Sequence, residues 1–191
     1  MADETRCRWC GDIPEFLPYH DTEWGFPVAD DIRLFEKICL EGFQSGLSWR
    51  TVLNKRAAFR EVFLGFDFRR VAGFGPEDIE RLMLDARLIR HRGKIASVIN
   101  NAGRAVELVE EAGSIAAFVW AYEDKGTAPA GRSTSDQSVA LSKALKKRGW
   151  SFVGPTTVYA FMQAMGLVND HAADCVIRPG AEAARASFQR P

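Results

Sequence analysis

Cys7 and His20 sit near the start of the chain in CRWCGDIPEFLPYHDTEWG, and His171 and Cys175 sit near its end in NDHAADC. The spacings are Cys-x12-His and His-x3-Cys, so each pair resembles half of a Cys2His2 zinc tetrahedron. A metal shared by both halves clips the amino terminus to the carboxyl terminus across the whole fold. Four protein ligands close the coordination sphere, so such a site is structural and the chemistry falls to other residues. Two readings compete with this one. Cys7 and Cys10 also spell C-R-W-C, the spacing of a redox pair or a metal knuckle, and spacing alone leaves Cys10 open as fourth ligand in place of His20. A free cysteine is also simply a small hydrophobe that packs well in a core.

Glu41 is the carboxylate whose surroundings point to chemistry. Within the apolar-periodic segment Asp31 to Gln44, Leu34, Ile38 and Glu41 recur at i, i+4 and i+7 on one stripe. A charge on that stripe is costly unless something pairs with it or uses it, and the ordinary explanation is a buried ion pair with an arginine. Aromatic residues flank it on both sides: Trp9, Phe16, Tyr19 and Trp24 before it, Phe43 and Trp49 just after. A carboxylate ringed by π-faces suits a flat, electron-poor or cationic ligand that stacks on the rings and donates hydrogen bonds to the acid. The same aromatics, without a ligand, make an ordinary core.

The segment DARLIRHRGKIASVINNA reads as a helix, a tight basic turn and a second helix. Free amides at the second helix's N-terminus, with Arg90, Arg92 and Lys94 beside them, can hold a DNA phosphate through dipole and charge together.

Helical patterning supplies the elements that position these residues. One helix runs from Asp31 to Gln44, and Ser48 is placed to cap another reaching about Phe63. Asp67 caps the short FRRVAGF segment, and Pro76 stands at a first helical position before EDIERLMLDA. Lys94 to Ala112 is stopped by Gly113, and Ser114 to Glu123 follows. Ser135 to Arg148 ends at Gly149, and Pro155 to Met165 ends at Gly166, each glycine standing where a left-handed stop is expected. KGTAPAGRSTSD reads as a surface loop. No alternating strand pattern competes, so the fold class is all-α. Residues 1–180 are expected to form a single domain, with 181–191 a frayed helix or tail.

Composition narrows the class further. Apolar residues make up 47% and charged residues 26% of the 191, the balance of a globular protein. The formal net charge is zero, so only the local basic runs, Arg90 to Lys94 and Lys143 to Gly149, offer ground to a polyanion. The opening MADETRCRWC has no apolar signal run and no stretch reaches membrane-spanning length. A cytoplasmic protein with no membrane partner is expected, its cysteines serving metal or thiol chemistry rather than disulfides.

Several of these segments together resemble the DNA-3-methyladenine glycosylase I family. YHDTEWGFPVAD, LEGFQSGLSWRTVLNKR, LIRHRGKI, ALSKALKKRG, FVGPTTVYAFMQAMGLVNDH and the closing Cys175 occur in the family's order and cover roughly Cys7 to Pro179, nearly the whole chain. The resemblance implies a two-lobed helix-hairpin-helix glycosylase fold that excises 3-methyladenine from alkylated double-stranded DNA as a monomer, without strand cleavage. It implies a structural Zn2+ on Cys7, His20, His171 and Cys175, which selects His20 over Cys10. It assigns base-reading roles to Glu41 and Tyr19, places Trp9, Phe16, Trp24 and Trp49 in the base pocket, and matches Gln44 and Leu47 to the loop that probes the DNA stack.

This chain departs from the family pattern in three places. Phe16 stands where some relatives carry a pocket tyrosine, Arg87 replaces a small residue before the basic turn, and Cys10 is additional. Two other classes share some of the features. One is a noncatalytic alkylation-damage or DNA-binding module of the same fold. The other is a zinc hydrolase, which needs an open metal position that four protein ligands do not leave.

Overall fold

A computed structural model describes residues 5–126 and 131–191. Among them there are eleven α-helices and no strand, as the periodicity predicts. The helices are α1 (Phe16–Thr22), α2 (Asp31–Gln44), α3 (Trp49–Leu53), α4 (Arg56–Val62), α5 (Phe68–Val71) and α6 (Pro76–Leu84). They continue with α7 (Arg92–Ala112), α8 (Ile115–Trp120), α9 (Asp136–Lys147), α10 (Pro155–Ala164) and α11 (Arg178–Ser187). Side-chain caps start many of them. Asp30, Ser48, Asp67, Ser114 and Ser135 each accept an amide hydrogen bond at the first turn of α2, α3, α5, α8 and α9.

Helix α2 is the centre of the molecule. Every residue from Leu34 to Phe43 is buried, and the helix packs against α10, α7, α3 and α8. Burial on all sides forces its polar members to find partners, which bears directly on Glu41.

Two expectations change. The helix predicted from Ser48 to Phe63 is two helices, α3 and α4, broken at Asn54 and Lys55. Lys55 stays in the right-handed region but off the regular helical angles there (φ −101°, ψ −1°), and its ammonium donates to the Arg87 carbonyl at 2.7 Å. The chain end is no loose tail, because α11 runs on to Ser187. Ala181 and Arg185 are buried, Arg185 reaches Glu123 and the Asp124 carbonyl, and Phe188 lies against Trp120 with ring centroids 4.5 Å apart. Of the expected surface loop after Tyr122, residues 127–130 lie outside the described residues, and its remainder carries no helix before Asp136.

Gly166 has a role beyond ending α10. Its φ is +75°, and a Cβ there would lie 2.5 Å from the Pro27 nitrogen, so only glycine lets the entry to α2 approach this closely. The Val28 amide donates to the Met165 carbonyl at the same junction.

Candidate functional site

Cys7, His20, His171 and Cys175 converge, all four buried, with their ligand atoms within 4.8 Å of one another. Cys7 Sγ lies 3.6 Å from His171 Nδ1, and Cys175 Sγ lies 3.5 Å from His171 Nδ1 and 3.6 Å from His20 Nε2. Zinc bonded tetrahedrally at its usual distances to sulfur and nitrogen separates neighbouring S and N ligands by about 3.6 Å. Those three separations match that spacing, and the four donors could hold a metal ion. Cys10, though fully buried, is not in the cluster.

The outer contacts of both imidazoles fit the same purpose. His20 Nδ1 lies 2.7 Å from Asp21 Oδ1, and Asp21 is held in turn by Arg6. His171 Nε2 lies 3.0 Å from the Trp24 carbonyl. A proton on each of those outer nitrogens leaves the inner nitrogens bare for a metal. Burial pulls the His171 pKa down to about 4, so its ring is neutral at pH 7, as a ligand must be. Gly25 (φ +88°) admits the ring: a Cβ there would sit 2.7 Å from His171 Nε2.

The cluster also props up the pocket beside it. Trp24 packs edge-on against His171 (4.6 Å between centroids) and stacks on His20 (6.1 Å), and Trp9 packs on Trp24 at 5.1 Å. Tyr19 and His20 are consecutive in α1, so the helix that sends one side chain to the cluster sends its neighbour to the pocket.

That pocket is a cavity of about 300 Å³ whose lining includes Trp9, Tyr19, Trp24, Glu41, Gln44 and Trp49. Its volume is at the small end of ligand sites, suited to one flat ring system. Arg132, Gln163 and Asp170, which line the cavity as well, were not singled out from the sequence. They are a linked set: Tyr159 donates to Asp170 at 2.9 Å, Gln163 donates to the same oxygen at 2.6 Å, and Arg132 donates to the Tyr159 hydroxyl at 2.7 Å. Phe16 does not line the cavity; it is buried behind Trp9, their centroids 5.6 Å apart. A phenylalanine in place of tyrosine there changes the backing of the pocket rather than its polar surface.

Glu41 is 5% exposed and has a partner the sequence reading did not name: Lys37, one turn earlier in α2, whose Nζ lies 2.7 Å from Glu41 Oε1. The ion pair expected with an arginine is made with a lysine, and the carboxylate lines the cavity as well. The i,i+4 spacing of Lys37 and Glu41 was the available signal. Burial lowers the Lys37 pKa, opposed by the Glu41 charge. Burial, with Glu41 and Glu23 adding to it, holds Tyr19 well above the usual tyrosine pKa, so it is a neutral phenol.

Gln44 and Leu47 stand on the turn that follows α2. Leu47 is 41% exposed, and its amide donates to the Gln44 carbonyl at 2.6 Å, closing the turn. Both residues, with Glu41, border a second opening of about 310 Å³ next to the first cavity.

The basic turn is present between α6 and α7, which pack together, but its three cations are not equivalent. Arg90 is exposed and makes no ion pair among the described residues. Arg92 is exposed and bidentate to Glu80, at 2.6 and 2.7 Å. Lys94 is buried, and its ammonium donates to the carbonyls of Phe43 (2.8 Å) and Ser45 (2.5 Å). The expectation of a lysine free to grip phosphate is therefore corrected. Lys94 caps the end of α2 and tethers the Gln44–Leu47 turn, because its side chain points along the helix–helix contact and finds unpaired carbonyls there. Arg87, the departure before the turn, is bound to Asp85 and Glu61 on the surface.

Comparison with known proteins agrees with this geometry. The methyladenine glycosylase family pattern matches residues 9–178. DNA-3-methyladenine glycosylase 1 of Escherichia coli K12 is 48% identical over 185 residues, covering 92% of this chain and 97% of that protein. The crystal structure of a 3-methyladenine DNA glycosylase I superposes with a TM-score of 0.86 at 47% identity, covering 90% of this chain and 98% of the other. The Staphylococcus aureus 3-methyladenine DNA glycosylase I, solved to explain 3-methyladenine recognition, superposes with a TM-score of 0.85 at 35% identity, covering 91% and 96%. Fold and sequence together place the chain in a class of helical base-excision enzymes. It belongs to the methyladenine glycosylase family.

Proposed function

We propose that this protein is a monofunctional DNA glycosylase that flips 3-methyladenine out of alkylated double-stranded DNA and hydrolyses its N-glycosidic bond. The observation that carries the reading is the small cavity in which a buried carboxylate, Glu41, meets the Tyr19 hydroxyl and the faces of Trp9, Trp24 and Trp49. Methylation at N3 makes adenine cationic, which weakens the glycosidic bond and leaves the enzyme more recognition than acid catalysis to perform. A damaged base also costs less to extrude than a well-paired one. Glu41 and Tyr19 read its polar edge, and the indoles stack on its cationic face. Water adds its oxygen to the sugar carbon, the bonding pair of the C–N bond leaves with the base, and the water's extra proton passes to solvent. Lys37 offers no free amine for a covalent intermediate, since Glu41 and Tyr19 hold it and it does not line the cavity.

DNA lies across two helical lobes in this reading. The amides at the start of α7, with Arg90, hold a phosphate in the manner of a helix-hairpin-helix. Arg92 joins them on leaving Glu80. Gln44 and Leu47 enter the stack where the base has left. Cys7, His20, His171 and Cys175 hold a structural zinc that fixes the tryptophan wall and takes no part in the reaction. The enzyme acts as a cytoplasmic monomer; no helix among the described residues is long and apolar enough to cross a membrane.

Release of free base from methylated DNA, resolved by chromatography into 3-methyladenine, 7-methylguanine and 3-methylguanine, tests the reading. Release of 3-methyladenine with no strand cleavage is expected, and its absence at high enzyme concentration overturns the assignment.

A further inference from the structure

Lys37 touches three of the residues that form the pocket without lining the pocket itself. Its ammonium lies 2.7 Å from Glu41 Oε1, 2.6 Å from the Tyr19 hydroxyl oxygen and 3.5 Å from the centroid of a Trp49 ring, with the side chain 6% exposed. An ammonium donates and never accepts, so both oxygens act as acceptors toward it. The Tyr19 hydroxyl spends an acceptor position on Lys37 and keeps its own proton for another partner. Glu41, paired as an anion, accepts through Oε1 and leaves Oε2 with no partner among the described residues. Tyr19 and Glu41 make no hydrogen bond to each other, although both face the cavity.

We propose that Lys37 is a positioning and specificity-determining residue that sets the polarity of the pocket, fixing Tyr19 as a donor and Glu41 as an acceptor toward an extruded base. This inference rests on the base-excision reading above. Adenine presents an amino donor beside a ring-nitrogen acceptor on one edge, and a donor–acceptor pair matches it. Guanine and its N7-methylated form present a carbonyl oxygen where adenine presents its amino group, so a carboxylate held as acceptor faces that oxygen with no proton between them. A buried polar group left unpaired is a strong basis for rejecting the wrong ligand. Without the ammonium, Tyr19 is free to donate to Glu41 itself, and the pocket loses the fixed order of donor and acceptor. The cation over Trp49 also holds that indole in place from the side away from the cavity.

The test is Lys37→Met, which keeps a long unbranched side chain and removes the charge. Thermal melting, affinity for lesion-containing duplex and single-turnover release of 3-methyladenine and 7-methylguanine are measured on the wild type and the variant. The expected result is an affinity within about twofold of wild type, reflecting unchanged phosphate contacts, and a 3-methyladenine rate lower by about tenfold. The ratio of 3-methyladenine to 7-methylguanine release falls by about tenfold or more, the discrimination of one misplaced pair of base-edge hydrogen bonds. A loss that is purely structural lowers both rates together and leaves the ratio unchanged; that result overturns the proposal. If the single variant does not fold, the double variant Lys37→Met with Glu41→Gln removes both charges, and retention of the wild-type ratio there overturns the proposal equally. Wild-type enzyme that releases no 3-methyladenine overturns the function itself and this role with it.

Discussion

Lys37 and Glu41, one turn apart on the most buried helix of the protein, form an ion pair with 2.7 Å between Nζ and Oε1 and about one-twentieth of either side chain exposed. The pair joins two roles that the sequence presented as alternatives. Glu41 is both a buried salt-bridge partner and part of the cavity wall, so its loss registers in stability and in base recognition.

Glu41→Gln is expected to lower single-turnover release of 3-methyladenine by about one to two orders of magnitude, the equivalent of one charge-assisted hydrogen bond. It also leaves the Lys37 ammonium buried without its counter-charge, at a cost of about 3 kcal/mol, or roughly 5–10 °C in melting temperature. Adding Lys37→Met is expected to recover most of that temperature and none of the excision. Melting curves and base-release assays on both variants separate the two effects; recovery of excision in the double variant would remove Glu41 from the recognition surface.

Cys175→Ser is expected to lose zinc and to melt more than about 10 °C below wild type, because a metal joining the ends of the chain is a folding term. Tryptophan fluorescence should shift in the same variant, since Trp24 packs on both ligand imidazoles and Trp9 on Trp24. Metal content by mass spectrometry alongside calorimetry decides this, and a zinc-free variant of full stability would refute the clip.

Gly25→Ala is expected to disturb the same centre through the backbone. At φ +88° an alanine is strained, and its methyl group meets His171 Nε2 at 2.7 Å, displacing the ring from the Trp24 carbonyl. A stability loss of about 1–3 kcal/mol and reduced zinc occupancy should appear together. Unchanged metal content at wild-type stability would show that the ring does not need this fit.

Lys94→Met and Arg90→Ala are expected to behave differently although both residues lie in the basic turn. Lys94 holds the Phe43 and Ser45 carbonyls, so its loss loosens the Gln44–Leu47 turn and lowers lesion excision by about tenfold, leaving the salt dependence of DNA affinity nearly unchanged. Arg90 is exposed and makes no ion pair among the described residues, and its removal should weaken damaged and undamaged duplex alike and lower the salt slope by about 1. Titrations across a salt series distinguish the two; a shallower slope for Lys94→Met would mean that its ammonium does reach phosphate.

Much of this protein is set by local rules that the sequence displays. The Ser48 and Asp67 caps, Pro76 and Pro155 in first turns and the stops at Gly113, Gly149 and Gly166 each depend on a few consecutive residues, so these helix ends and the class could be read directly. The residue types at Cys7, His20, His171 and Cys175 likewise announced a metal-binding set, and the i+7 place of Glu41 announced a carboxylate turned inward. Spacing alone left open which of those groups meet; the family resemblance selected His20, and packing between distant segments is what brings it in. Cys10 is as buried as Cys7, yet the turn before α1 carries it away from the cluster and brings His20 in. Arg90 and Lys94 lie four residues apart, one facing water and the other turned into the unpaired carbonyls at the end of α2. The partnership of Lys37 with Tyr19 and Trp49 has the same origin. Spacing along α2 gives the pair with Glu41, but the reach to Tyr19 and Trp49 exists only because α1 and α3 pack beside it, and burial leaves an ammonium no water to choose instead.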